Sequence, residues 1–310
     1  MTRPILPPPG PPADAVRRAK ADFLGGLEQS LPVALPRASQ LLERIATPNW
    51  ALEWGLSHWM AEAYGLQVET AQNLLLSNVS LLAYARVLDD LADGETDEPV
   101  GDAVVLAAAL QQQWTKCYLG MFEGEQQALF WSYFDEFNAR WLRAMLPSPG
   151  DEPVPESERG ALLRVACAAG CLVADREEAL SPLVHALDHL LVAVVLLDDA
   201  FDWESDLLAG RHNALVSFCS TSPQTGENQE TNRAAVLHGV YVDDVLPGYF
   251  AVARERLRSA YVWCERADCS GLGSFVTWYD GEIDACSRWM RARVHRQVLA
   301  WAGTRQRPPV

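Results

Sequence analysis

The sequence predicts an all-α protein, a single-domain bundle of about ten helices around a central cavity. Apolar residues recur at helical spacing along most of the chain, whereas the alternation typical of strands is almost absent. Turn-forming residues separate the periodic segments, for example at Pro48-Asn49, at Gly94 and at Gly210. With 310 residues, 49% of them hydrophobic, the chain is long enough to bury a large core.

The helical segments follow one another closely. Their predicted ranges are 15–30, 36–46, 50–64, 68–93, 101–121, 125–146, 158–175, 180–209, 233–265 and 271–301. Helices of similar character lie on both sides of the polar segment 146–157, so one domain is expected over residues 15–303.

Four segments are expected to lie outside the packed helices. The proline-rich residues 1–14 predict a disordered arm, and residues 304–310 form a tail. The polar stretches near 147–157 and 219–232 contain few apolar residues to bury and predict mobile loops. Neither a signal-peptide core nor a charge-free apolar run long enough to span a membrane is found, so a cytoplasmic protein without integral membrane contact is expected.

The net charge of −16 argues against a nucleic-acid partner, whose phosphates need Lys and Arg for neutralisation. An acidic protein can still bind a polyanion when metal ions mediate the contact. The seven cysteines are scattered without zinc-type spacing. Cys167 and Cys171 lie one helical turn apart and are expected to be buried apolar side chains, with all seven thiols reduced.

The first of two carboxylate clusters ends a long apolar helix. Asp89, Asp90 and Asp93 follow the segment 73–88, and Asp89 and Asp93 lie only about 40° apart around the helix axis. Carboxylates at a helix C-terminus repel one another and oppose the helix dipole, so this arrangement predicts a bound cation.

The second cluster follows the most apolar helix of the chain, residues 189–197. Asp198, Asp202 and Asp206 are spaced at i, i+4 and i+8, which places them within an arc of about 80° over about 12 Å. Oxygen ligands in this pattern suit a hard cation such as Mg²⁺. The alternative is a pair of solvated acidic helix ends. Two such clusters with few Lys or Arg nearby in sequence favour the metal interpretation.

Both clusters resemble the metal-binding motifs of the class I isoprenoid synthase superfamily, over roughly residues 50–300. The first is similar to the aspartate-rich DDxxD motif. The second resembles the (N/D)DxxSxxxE motif of terpene cyclases, with Asp198, Asp202 and Asp206 at the ligand positions. It equally resembles the second DDxxD motif of trans-prenyltransferases, through Asp198, Asp199 and Asp202. The segment 209–213 is similar to the Gly-x-x-Asn ending of many cyclases.

The second cluster departs from the cyclase pattern at three positions. Asp202 stands where a Ser or Thr ligand is usual, and Asp206 replaces the longer Glu. Ser205 stands where Lys or Arg is often found, so charge compensation is expected from Arg211. Each changed ligand still offers an oxygen atom, so metal binding is still expected. The changes make the motif less able to distinguish a cyclase from a transferase.

The resemblance implies the class I terpenoid synthase fold and three Mg²⁺ ions, with Mn²⁺ as an alternative, bridging the protein and a substrate diphosphate. The implied metal ligands are Asp89, Asp90, Asp93, Asp198, Asp202 and Asp206. It further implies cationic groups over the diphosphate, for which the candidates are Arg164, Arg211 and Arg288. Side chains expected to contact the substrate are Tyr84, Val194, Leu197 and Asn213.

Two reactions are compatible with this resemblance. The first is a terpene cyclase (a carbon–oxygen lyase) that ionises a linear C15–C20 prenyl diphosphate and closes rings. The second is a trans-prenyltransferase that joins an allylic diphosphate to isopentenyl diphosphate or another acceptor. Transferases of this kind usually carry a basic segment ahead of the first motif, but residues 36–60 contain only Arg37 and Arg44. The cyclase is therefore favoured. Relatives often form homodimers, so a homodimer is kept as an alternative to a monomer for this chain.

One further motif needs an interpretation. His185 and His189 have the i, i+4 spacing of a zinc-binding pair, but there is no glutamate base between them and no evident third ligand. A packed or hydrogen-bonded pair is therefore expected.

Overall fold

The computed structural model describes residues 8–46, 50–92, 94, 99–146, 155–219 and 229–305. Within these residues the chain forms twelve α-helices and no strand, which confirms the all-α prediction. The helices are α1 (Ala13–Ser30), α2 (Leu35–Ile45), α3 (Ala51–Tyr64), α4 (Val68–Ala92), α5 (Val100–Leu119), α6 (Gly124–Met145), α7 (Leu163–Val173), α8 (Leu180–Ala209), α9 (Ala214–Cys219), α10 (Gln229–Tyr241), α11 (Leu246–Arg266) and α12 (Ser270–Arg305). Short 3₁₀ helices cover Pro32–Ala34, Glu156–Gly160 and Glu177–Ala179.

The helix count exceeds the predicted ten for two reasons. Helix α9 is too short to show a periodic pattern, and the segment predicted as 233–265 is divided between α10 and α11. The division has a backbone cause: Asp244 adopts a left-handed conformation with φ of 52°. Pro247 follows in the first turn of α11, where proline is tolerated because its missing N–H has no helical partner.

The predicted arm, loops and tail fall largely outside the described residues, namely at 1–7, 147–154, 220–228 and 306–310. Their mobility therefore stays a prediction. Where the chain is described, α1 begins at Ala13 and α12 continues to Arg305, so both helices extend slightly into the segments expected to be unstructured.

The described residues group into two compact units. The first unit contains residues 8–188 and 260–276, and the second contains residues 189–259 and 277–305. The single-domain organisation stays a prediction, and each unit is described by itself.

Helix α4 is the centre of the first unit. It packs against α1, α2, α3, α5 and α7, and its residues 77–83 are all buried. Phe23 of α1 and Leu110 of α5 are fully buried in the same core. Because α4 is surrounded in its middle, its acidic groups lie toward its ends, among them Asp89 and Asp90.

A tryptophan side chain holds the start of α12 close to α3. Trp59 is 3% exposed, and its ring lies 5.1 Å from that of Phe275 between centroids. A Cβ atom at Gly271 would lie 2.6 Å from Cδ1 of Trp59, which is too close for any side chain. Glycine is therefore required at this approach.

Most of the aromatic side chains described here fill cores. A cluster between α5 and α6 joins Trp114 to Phe134 at 5.0 Å and Phe130 to both Tyr118 and Phe122 at 4.8 Å. Packing at these centroid distances is typical of hydrophobic cores.

The cysteines are free thiols, as expected. Cys167 and Cys171 are fully buried on α7, which confirms their predicted role as apolar side chains. Burial, with a smaller contribution from the thiol of Cys269, raises the pKa of Cys171 to about 12. These buried thiols therefore stay protonated at neutral pH and are poor nucleophiles.

An acidic side chain is partly buried between α3 and α4. The Oε2 atom of Glu53 is shielded from solvent and has no hydrogen-bond partner among the described residues. Asn78 donates from Nδ2 to the main-chain carbonyl of Glu53 at 2.8 Å. Burial raises the pKa of Glu53 from 4.5 to about 7, although its own backbone N–H opposes this shift.

This raised pKa makes the folded state less stable at higher pH. The unfolded chain releases the Glu53 proton near pH 4.5 and the folded protein near pH 7, so stability falls between these values and is constant above them. We expect the free energy of unfolding of the wild type to fall with rising pH by up to about 3 kcal/mol more than that of Glu53→Gln. Urea unfolding of wild type and variant at pH 5 and pH 8 measures it; equal pH dependence in both proteins would contradict the assignment.

Candidate active site

The second carboxylate cluster lies along one face of α8. Asp198 and Asp202 are exposed, and the side chain of Asp206 is 15% exposed. Between them, Ala200 and Trp203 are fully buried. The end of α8 is therefore amphipathic, because helical spacing directs the acids to one side and the apolar residues to another.

Asp206 is held by two donors. Asn213 donates from Nδ2 to Oδ2 of Asp206 at 2.8 Å, and Arg211 donates from Nε to Oδ1 at 3.1 Å. Gly210, with φ of 69°, lets the chain leave α8 and bring both residues back to the helix end. The sequence-based expectation that Arg211 compensates the charge of Asp206 agrees with this contact.

Asn213 also links α8 to α9. Its side chain is fully buried, and its Oδ1 atom accepts hydrogen bonds from the N–H groups of Leu215 at 3.0 Å and Val216 at 3.2 Å. Asp199 completes the corner, because its Oδ2 accepts from the N–H of Ala214 at 2.7 Å. Two side chains of the predicted motif thus satisfy the first amides of α9.

Glu204 lies on the side of α8 away from these acids, since two residues correspond to about 200° of rotation. Arg293 donates to its Oε2 at 2.5 Å and Gln297 to its Oε1 at 2.9 Å. Arg233 donates to the same Oε1 at 3.2 Å. Burial opposes ionisation of Glu204, but hydrogen bonds from Arg293 and Arg233 outweigh it and lower the pKa. Glu204 therefore joins α10 and α12 to α8.

The first cluster contains its own cations. Asp90 is 8% exposed and contacts Arg44 of α2 at 2.7 Å through Oδ2 and Arg86 at 2.6 Å through Oδ1. Arg86 also lies 3.5 Å from Asp89. Asp93 is outside the described residues. The expectation that few cations neutralise the clusters is wrong for Asp90, because folding brings Arg44 to it from 46 residues away.

The acidic side chains of the two clusters are the candidate metal ligands. Among the described residues, no group of three or more His, Cys, Asp or Glu side chains is placed to hold a metal ion. The chemistry of the donors nevertheless suits Mg²⁺, which takes one or two carboxylates and completes its octahedron with water and phosphate oxygens. Asp198, Asp202 and Asp206 can serve in this way on α8, and Asp89 on α4. That the two clusters face each other stays a prediction.

Arg164 occupies a different setting from the one predicted. Its side chain is fully buried, and its Nε donates to Oδ1 of Asp188 at 2.9 Å. It also donates to the main-chain carbonyl of Ser157 at 3.2 Å, and Glu158 lies 3.9 Å away. These contacts tie the segment before α7 to α8. A role in binding diphosphate stays a prediction that requires this buried pair to open.

The remaining predicted residues lie on three helices. Tyr84 of α4 is half-buried, with its ring 6.2 Å from that of Trp114. On α8, Val194 is half-buried and Leu197 fully buried. Arg288 of α12 is exposed.

Sequence reasoning missed Arg293 on the same helix. Arg293 contacts Glu204 and donates to the main-chain carbonyl of Phe201 at 3.2 Å. Nothing in the spacing of the arginines of α12 distinguishes it from its neighbours. Its side chain also lies over the ring of Trp289 at 5.0 Å, which helps to fix its position.

The two histidines contact different side chains. The ring of His185 stacks on Trp263 at 4.6 Å, and Nδ1 of His189 lies 3.5 Å from Nη1 of Arg256. The two imidazoles therefore have separate partners, as the packed interpretation expects.

The apolar part of α8 is only partly covered. One helical stretch, Glu177–Ala209, is long and apolar enough to cross a membrane by length and composition, and 44% of its most apolar window is buried. The buried core helices of soluble proteins share these properties, so the expectation of no integral membrane contact stays a prediction. Val192, Val194 and Leu196 are half-buried immediately before the acids.

The contact between the buried Arg164 and the half-buried Asp188 yields a stability prediction. Asp188→Asn removes the nearer of two carboxylates beside the guanidinium and leaves only Glu158, 3.9 Å away, so we expect the free energy of unfolding to fall by about 1–3 kcal/mol. Glu178→Gln, which removes an exposed partner of Arg176, is the matched control and should unfold like wild type. Chemical denaturation compares the three proteins; a wild-type value for Asp188→Asn would show that this pair does not stabilise the fold.

Comparison with known proteins bears on the fold. No model of a known protein family matches the sequence, and no curated protein matches it significantly. A solved structure does match: geranylgeranyl pyrophosphate synthetase from the archaeon Geoglobus acetivorans, with a TM-score of 0.64 at 16% sequence identity. The match covers 87% of this chain and 98% of that one. The chain therefore has the fold of the class I isoprenoid synthases.

Proposed function

We propose that the protein is a Mg²⁺-dependent isoprenoid synthase that ionises an allylic prenyl diphosphate. The main support for this proposal is one face of α8. On this face Asp198, Asp202 and Asp206 follow an apolar stretch, in a chain with the isoprenoid synthase fold. The apolar stretch is suited to the prenyl chain, and the acids that follow it are suited to metal ions that bind the diphosphate. Mg²⁺ bound there supplies the positive charge that stabilises the leaving diphosphate as the allylic C–O bond breaks.

The side chains of α8 perform two tasks in this proposal. Asp198 and Asp202 offer carboxylate oxygens at the exposed end of the helix. Val194 and its half-buried apolar neighbours contact the prenyl chain and exclude water from it, because water would capture the cation. Arg211 lies at the motif itself and is the cation best placed to contact diphosphate at this end of α8.

Transfer to a second prenyl unit is the reaction that the comparison favours. The matching solved structure is a geranylgeranyl pyrophosphate synthetase, and fold similarity at this identity supports the proposal without assigning the substrate. We therefore infer that the chain joins an allylic diphosphate to isopentenyl diphosphate or a similar acceptor.

Cyclisation of a single linear prenyl diphosphate is the second candidate. Elongating enzymes need cations for a second diphosphate, and the two arginines within residues 36–60 both contact acids. Arg37 is paired with Asp102, and Arg44 is paired with Asp90. A cyclase has no need of that second site.

Product analysis separates these reactions. The protein is incubated with Mg²⁺ and linear C10 to C25 prenyl diphosphates, each with and without isopentenyl diphosphate, and products are identified by mass spectrometry. Longer prenyl diphosphates formed only with the acceptor establish transfer, whereas cyclic hydrocarbons or alcohols from one substrate establish cyclisation. Absence of turnover for every combination would refute the proposed function.

Substitution of the carboxylates tests the site. We expect Asp89→Ala and Asp202→Ala each to lower turnover at least about a hundredfold, because each removes a ligand for the ions that stabilise the leaving group. Asp135→Ala, at an exposed acid of α6, is the control and should keep wild-type turnover. Circular dichroism should show unchanged helix content in all three variants. Wild-type turnover in both cluster variants would exclude the carboxylates from the reaction.

A further inference from the structure

We propose that Asn213 is a positioning residue that orients Asp206 for metal binding, and that Asp199 holds the α8–α9 corner instead of binding metal. The proposal rests on the proposed function, because it assigns roles within the same carboxylate cluster. It also chooses between two sets of ligands that the sequence leaves equal: Asp198, Asp202 and Asp206, or Asp198, Asp199 and Asp202.

The orientation of the Asn213 amide is fixed by its backbone partners. Its Oδ1 atom accepts from the N–H groups of Leu215 and Val216, and only an oxygen can accept there. The Nδ2 atom must therefore point the other way, where it donates to Oδ2 of Asp206 at 2.8 Å and to the main-chain carbonyl of Asp199 at 2.9 Å. Since the side chain is fully buried, water does not compete for these bonds.

These contacts hold Asp206 without consuming its binding capacity. Each carboxylate oxygen accepts one hydrogen bond, from Asn213 or from Arg211, and each has a second lone pair. Carboxylates that bind metals are commonly oriented by such outer partners, whose loss costs about 10- to 100-fold in metal affinity. Asp206 therefore has the surroundings of a positioned ligand.

Asp199 has different surroundings. Its Oδ2 accepts the N–H of Ala214 at 2.7 Å, and its main-chain carbonyl accepts from Asn213. On the helix it is rotated by about 100° from Asp198 but lies only about 20° from Asp206, so its hydrogen bond to α9, and not its direction, distinguishes it from the row formed by Asp198, Asp202 and Asp206. One oxygen of this carboxylate is thus used to close the corner.

Isosteric substitutions test the ligand set. Asp→Asn variants at 198, 199, 202 and 206 are titrated with Mn²⁺ in the presence of inorganic pyrophosphate, and affinity is measured calorimetrically. We expect Asp198→Asn, Asp202→Asn and Asp206→Asn to lose at least about tenfold in affinity, and Asp199→Asn to stay within about threefold of wild type. An equal loss in Asp199→Asn and Asp198→Asn would overturn the proposal.

A second pair of measurements separates positioning from general structure. Asn213→Ser keeps a capping oxygen but cannot reach Asp206, so Mn²⁺ affinity should fall about tenfold, while amide exchange at Leu215 and Val216 stays slow. Asp199→Ala should show the reverse, with faster exchange at Ala214 and wild-type affinity. If Mn²⁺ affinity falls and amide exchange becomes faster in both variants, Asn213 only stabilises the fold and the positioning role is wrong.

Arg211→Met provides a variant on the surface. The Arg211 side chain is 44% exposed, so the variant should fold, and removal of the second donor to Asp206 should lower Mn²⁺ affinity. Unchanged affinity in both Asn213→Ser and Arg211→Met would contradict the positioning of Asp206.

These measurements distinguish the two proposals. If the wild-type protein binds Mn²⁺ with pyrophosphate in the expected pattern but turns over no prenyl diphosphate, the proposed function fails and the residue roles stand. If turnover is found but Asp199→Asn loses metal like its neighbours, the roles fail and the function stands. A wild-type protein that binds no Mn²⁺ in the presence of pyrophosphate overturns both.

Discussion

Carboxylates crowded at the end of an apolar helix must be held apart and hydrogen-bonded, and both clusters of this protein are arranged around that requirement. Repulsion between the acids would otherwise favour unwinding the helix end. In the first cluster the donors are guanidinium groups, with Arg44 and Arg86 on opposite oxygens of Asp90. In the second cluster a buried amide and a surface guanidinium share Asp206. The donors also set the direction in which each acid points.

The acids differ in how far they are exposed to solvent. Asp90 and Glu204 each contact two arginines and are half-buried or buried, so they connect helices. Asp198 and Asp202 project from the exposed side of α8, where a solvated cation can reach them. Acids that look alike in the sequence therefore differ in exposure: some connect helices, and others lie at the surface of α8.

The sequence predicted the features that depend on local periodicity, including the helical class, the i, i+4, i+8 row on α8 and the involvement of Arg211. It could not predict contacts between residues distant in the chain. Arg44 reaches Asp90 across 46 positions, and Arg293 reaches Glu204 across 89. Helix α9 was missed because six residues are too few to show a period, and its start is set by Asn213 and Asp199, which the motif had suggested for other reasons.

The corner between α8 and α9 has an evolutionary consequence. One buried amide caps a helix, supports a carbonyl and orients a carboxylate, so position 213 cannot drift without affecting all three. Descendants of this chain should therefore keep position 213 nearly unchanged, whereas the exposed positions 198 and 202 can explore alternative oxygen-bearing side chains one at a time.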